Sequence, residues 1–97
     1  MPGFGFRMIW DVAFTSKAKH DLRRLPKAEA QRITDEVTSL ANEPYPLHHV
    51  KKLKGHQSNP VYSLRVGEYR VILTIEDNLM IITVIEVGNR RTVYRKY

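Results

Sequence analysis

The chain has no cysteine among its 97 residues, which excludes a disulfide, a thiolate nucleophile and a zinc–thiolate site. That absence agrees with a reducing cytoplasm. No run approaches the ~18 apolar residues that a membrane span needs, so no membrane association is expected. Glycine and proline are sparse, five of each, and no low-complexity segment or internal repeat occurs. There is no Gly-rich phosphate loop, no G-x-S-x-G elbow and no paired-carboxylate motif. Negative charge is also scarce, with 10 Asp and Glu against 16 Lys and Arg and a net charge of +6. The imbalance is local. Residues 1–47 carry seven Lys and Arg against six Asp and Glu, whereas residues 48–97 carry nine against four. A basic second half implies a polyanionic partner, of which RNA and DNA are the commonest.

What is present fits one α+β domain spanning residues 1–97, with 42% hydrophobic and 27% charged residues. Residues 1–7 read as a loose leader, and Met8 is itself a possible start. From Ile9 to Phe14 the pattern alternates, placing Trp10, Val12 and Phe14 on one face of a half-buried strand. Thr15-Ser16 offers an N-cap. Ala18, Leu22 and Leu25 then fall at helical spacing, and Pro26 breaks this helix. Lys27 to Ala41 forms a second helix with Ala30, Ile33, Val37, Leu40 and Ala41 as its apolar stripe. Two helices so closely linked form a hairpin. The segment His48 to Pro60, which contains Val50-Lys51-Lys52-Leu53-Lys54-Gly55, starts as another possible strand and ends in a loop from Gly55 to Pro60. Val61–Val66, a Gly67-Glu68 turn, Tyr69–Ile75, an Asp77-Asn78 turn and Leu79–Val87 form a meander. The expected architecture is an N-terminal strand and a helical hairpin packed on one face of a mainly antiparallel sheet.

A two-residue turn at Gly67-Glu68 sets Arg65 directly opposite Arg70. Like charges so placed destabilise a sheet, which suits a site for an anion. If the pair is structural instead, Glu68 or Glu86 is the available carboxylate; the surplus of cations favours the anion. Lys51, Lys52 and Lys54 flank this region. The final residues, Gly88 to Tyr97, carry Arg90, Arg91, Arg95 and Lys96 with Tyr94 among them, and follow a strand expected beside that of Arg70. His48, His49 and His56 read as surface or loop histidines: adjacent ones on an extended segment point to opposite faces, and no Cys or close carboxylate completes a metal set. Neither a metal nor a cofactor is expected.

Phe14-Thr15-Ser16-Lys17-Ala18 with Leu22 and Leu25-Pro26, Lys52-Leu53-Lys54-Gly55, Tyr62 to Val71, and Val87 to Tyr94 together resemble the RelE/ParE superfamily of bacterial and archaeal toxins. The resemblance runs from Ile9 to Tyr94. It implies a RelE-like fold, the toxin role in a type II toxin–antitoxin pair, a RelB-like antitoxin partner that wraps the toxin with a helix, and cytoplasmic action. Its RelE-type members cut mRNA in the ribosomal A site. By the resemblance, Arg70 stabilises charge on the scissile phosphate, Arg90 serves the leaving group as stabiliser or acid, and Tyr94 orients or activates the nucleophile. Lys54 and Arg65 bind or stabilise RNA. Lys51, Lys52, Arg91, Arg95 and Lys96 are the expected further RNA contacts, with Arg91 and Arg95 also able to tune Tyr94.

The chemistry implied needs no Ser or Cys, because RNA supplies its own nucleophile in the 2′-hydroxyl. The products would be a 2′,3′-cyclic phosphate and a 5′-hydroxyl. Fixed guanidinium groups neutralise the dianionic phosphorane through bidentate hydrogen bonds. The superfamily's best-studied form has lysines where Ser63 and Arg65 stand. Arginine stays protonated, so base catalysis falls to Tyr94, or to Lys52 or Lys54. Two other functions are compatible with the sequence: a ParE-type inhibitor of DNA gyrase, and an inactive RNA-binding module.

Overall fold

Thr15 ends one element and begins the next. In the computed structural model, which describes residues 9–53, 60–89 and 91, strand β1 covers Asp11–Phe14 and helix α1 covers Ser16–Arg23. The Thr15 hydroxyl accepts the Ala18 N–H at 3.1 Å, satisfying one of the orphan donors of the helix start. Pro26 then stands at the N-cap of α2, Lys27–Ala41, as a residue that cannot continue the preceding helix but is suited to the entrance of the next. A short 3-10 helix, Pro46–His49, leads to β2 (Lys51–Lys52), β3 (Tyr62–Val66), β4 (Tyr69–Glu76) and β5 (Ile81–Asn89).

The five strands form one sheet in the order β1-β5-β4-β3-β2. All neighbours are antiparallel except β1 and β5, which run parallel with Asp11 beside Ile81. The helices supply one layer. Ile33, Val37, Leu40 and Ala41 of α2 and Ala18 of α1 are buried with Leu64, Val66, Val71, Leu73, Ile82, Val84 and Val87 of the sheet and with Trp10.

Two features differ from the sequence reading. The last strand starts at Ile81, not Leu79, because the β4–β5 connection uses Asp77 to Met80. Met80 takes a left-handed φ of 53°, a region costly for residues with a Cβ, and both Leu79 and Met80 are exposed. The second difference concerns the outer face, which is not simply solvated. Leu53, Val61 and Ile72 form a second buried cluster there with Ile85 packed against it. The register supports this: it shifts at Ile72/Leu73, with Ile72 opposite Glu86 but Leu73 opposite Val84. Ile85 is the extra residue of a bulge. Unbroken apolar runs such as Val71-Ile72-Leu73 are the mark of strands covered on both faces.

β1 is too short to pair with the whole of β5, and α1 completes the edge. The Thr15 N–H donates to the Val84 carbonyl at 3.0 Å, and the Thr15 hydroxyl donates to the Ile85 carbonyl at 2.7 Å. The Val87 N–H donates to Asp21 Oδ2 at 3.0 Å. Asp21 Oδ1 also accepts from Lys17 Nζ at 2.7 Å. That hydrogen bond, opposed by desolvation and aided by the charges of Asp21 and Glu86, raises the Lys17 pKa above 10.5. A raised pKa means the contribution is complete below 10.5 and fades as pH climbs through the folded value, so it is constant near neutrality. Asp21→Ala leaves the part-buried Val87 N–H without its acceptor and is expected to cost about 1–3 kcal/mol. Urea unfolding would show a lower midpoint with an unchanged m-value.

Candidate nucleic-acid interface

The hairpin turn decides where the charges meet. Gly67 takes φ +60°, a conformation glycine adopts without steric cost, and the resulting two-residue turn sets Val66 opposite Tyr69 and Arg65 opposite Arg70. Both arginines lie on the face away from the helices. Arg65 is exposed, and its Nε makes a long 3.4 Å contact to the Gly67 carbonyl. Arg70 is half-buried, with its Nε wholly enclosed. A guanidinium held in this way loses less freedom when it binds than one on an open surface.

β5 extends the row. Arg70 stands opposite Gly88 and Tyr69 opposite Asn89. Gly88 puts no side chain beside Arg70 on the outer face. The Asn89 side-chain oxygen then accepts the Arg91 N–H at 2.9 Å, an Asx turn that bends the chain as it leaves the strand. The segment holding Arg90 and Tyr94 therefore begins at the arginine end of the sheet. Arg91 is exposed. Arg90, Tyr94, Arg95, Lys96 and Lys54 lie outside the described residues.

The two lysines of β2 part company. Lys51 pairs with Ser63 and Lys52 with Tyr62. Ser63 shares the outer face with Arg65, whereas Tyr62 packs against the helix-side core. By the alternation of a strand, Lys51 belongs to the arginine face and Lys52 to the opposite one, so the expected flanking role on that face extends to Lys51 alone of the pair. Ser63 is 2% exposed, and its hydroxyl has no hydrogen-bond partner among the described residues. Glu86, opposite Ile72 and 8% exposed, stands one row from Arg70 on the same face. It is one of the two carboxylates that the sequence offered as neighbours for the arginines.

His48 and His49 lie in the 3-10 turn rather than on an extended segment, because Pro46 starts a helical turn. Both are exposed; His48 stacks on Tyr45 at 5.5 Å between ring centres, and His49 Nε2 lies 3.3 Å from Glu43 Oε1. Among the described residues no three His, Asp or Glu side chains gather as a metal site. His56 is outside the described residues. No helix among them is long and apolar enough to cross a membrane.

With this geometry in place, residues 12–94 match the family model of the ParE toxin of type II toxin–antitoxin systems, parDE. The chain belongs to this toxin family. Toxin RelE of Mycobacterium tuberculosis is 32% identical over 87 residues, which cover 89% of this chain and 87% of that protein. A chain of the toxin–antitoxin complex RelBE2 from the same species superposes with a TM-score of 0.75 at 27% identity, covering 86% of this chain and 93% of its own. A chain of the archaeal RelE–RelB complex from Pyrococcus horikoshii OT3 gives 0.71 at 29% identity, with 86% and 97% covered. The protein is thus a RelE-like toxin of a type II system, with the α+β fold expected from its sequence.

Sequence reasoning about the toxin missed two things. Asp21, which the sequence did not single out, caps the free edge of β5. Arg32 was likewise not singled out, and its guanidinium lies over the Gly67 turn, with Nη1 3.0 Å from where a Cβ at Gly67 would stand. The only sequence signal for the second was the glycine itself.

Proposed function

We propose that this toxin is a metal-independent, ribosome-dependent endoribonuclease that cleaves mRNA in the A site by attack of the 2′-hydroxyl on the scissile phosphate. The observation that carries the reading is the outward pairing of Arg65 and Arg70 at the end of the sheet where β5 releases the Arg90–Tyr94 segment. Arg70, half-buried and fixed by the strand, is suited to charge that develops on a phosphorane. Arg65 and Lys51 extend the cationic surface for the flanking backbone. Arg90 and Tyr94 supply leaving-group and nucleophile functions, with Lys54 and Arg65 assisting at the phosphate. Arg91, Arg95 and Lys96 are further contacts to RNA, whereas Lys52, on the opposite face of the sheet, is not. The general base is Tyr94 or Lys54, since arginine does not deprotonate and Lys52 lies on the opposite face. The toxin acts in the cytoplasm, where mRNA and ribosomes are found, and is restrained by a RelB-like antitoxin. The presence of RelE–RelB complexes among its structural relatives supports that partner.

The ParE designation of the matching family favours a second reading, a gyrase inhibitor that binds protein and cuts nothing. Expression in a bacterium separates the two. The nuclease reading expects arrested translation and mRNAs cut within codons, mapped by primer extension. Intact mRNA with a rising DNA-damage response would overturn it.

A further inference from the structure

Arg32 breaks the habit of its position. On α2 it has carboxylates within helical reach at Glu29, Asp35 and Glu36, the spacing at which an arginine normally pairs along a helix. It takes none of them among the described residues; Asp35 instead accepts from Gln31 Nε2 at 2.9 Å. Its side chain runs to the β3–β4 turn, where the guanidinium lies against Gly67 with Nη1 and Cζ at 3.0 and 3.4 Å from the missing Cβ position. A Cβ at position 67 would make the guanidinium give by a few tenths of an ångström. Arg65 reaches the same turn from β3 through the Gly67 carbonyl, by a contact long enough to leave most of its donors to another ligand. Glu68, in the turn, makes no ion pair with either arginine among the described residues. The two guanidinium groups thus reach one turn from two sides, Arg32 from α2 and Arg65 from the outer face of β3, and positive charge converging on one turn favours an anion there.

We propose that Arg32 and Arg65 form a phosphate clamp about the Gly67 turn that holds the backbone of single-stranded RNA next to Arg70. The clamp rests on the nuclease reading and adds Arg32 as a substrate-positioning residue. A single strand fits better than an acidic protein segment because the clamp continues, through the direct Arg65–Arg70 pairing, into a row of cations that follows a backbone. Phosphate also matches the planar fork of arginine.

The test uses the full chain and a single-stranded RNA oligonucleotide with methylated 2′-hydroxyls, which cannot be cleaved. Affinity is measured across a salt series. Arg32→Ala should weaken binding about five- to tenfold and flatten the slope of log K against log salt by about 0.7, the loss of one phosphate contact on a single strand. A merely structural role would not change that slope. Arg32→Lys should keep the slope and recover part of the affinity. An unchanged slope in Arg32→Ala, with a flattened slope in Arg70→Ala, overturns the clamp and leaves the nuclease reading standing. If neither variant alters the slope, the RNA-binding surface itself is wrong and the clamp falls with it. Unaltered RNA binding with weakened binding of a polyglutamate peptide overturns the clamp in favour of an acidic protein partner.

Discussion

Arg70→Ala is expected to lower mRNA cleavage on programmed ribosomes by about 10²–10³-fold, the usual cost of removing one preorganised donor from a charged transition state. Arg70 sits in the middle strand of the arginine end, between Arg65 of β3 and Gly88 of β5. Its guanidinium is therefore set by the sheet rather than by a loop. The fold should survive, because Arg70 lies on the face away from the helix-side core. Far-UV circular dichroism and a thermal melt would show a folded protein. Arg70→Lys keeps the charge but loses the bidentate fork, so its activity should fall between those of the parent and the alanine variant. A folded Arg70→Ala protein that cleaves at the parental rate would remove Arg70 from the chemistry.

Ile72→Ala should give the largest loss of stability on the site's own face. Ile72 is 0% exposed and joins Leu53, Val61 and Ile85 in the outer cluster. Truncation leaves a cavity under close-packed neighbours, at a cost of about 2–5 kcal/mol. For a domain of this size that corresponds to a fall in Tm of roughly 10–25 °C, readable by calorimetry. Ile72 occupies the row between Ser63 and Glu86, next to the row of the arginines on the same face. The same variant therefore tests whether the outer cluster supports the sheet under the site. A shift of only a few degrees would mean that the outer face is open to water in solution and that the cluster contributes little.

Much of the fold was legible along the chain, for local reasons. Thr15 and Pro26 mark helix boundaries by capping chemistry and by a missing N–H, and α2 begins and ends where its periodicity does. Gly67 marks the tight turn, and a two-residue turn fixes the register of its strands. Arg65 opposite Arg70 followed from that alone. The order and spacing of the motifs pointed to the toxin family, which the matched relatives bear out.

Other features depended on partners distant in sequence. The parallel pairing of β1 with β5 joins the two ends of the chain, and nothing in either strand names its neighbour. The burial of Ile72 needs Leu53 and Val61, which a period-two pattern does not identify. Lys51 and Lys52 look equivalent in sequence, and only the pairing of β2 with β3 assigns them to opposite faces. Asp21 and Arg32 are ordinary surface residues of helices until the helices are laid on the sheet; then one meets an unpaired strand edge and the other a glycine with no side chain. The sequence by itself determined most of the elements and the hairpin register that sets Arg65 opposite Arg70, because these depend on neighbours a few positions away. The tertiary structure decided which cations share a face and which strand edge needed a cap, because those depend on distances that chain order does not encode.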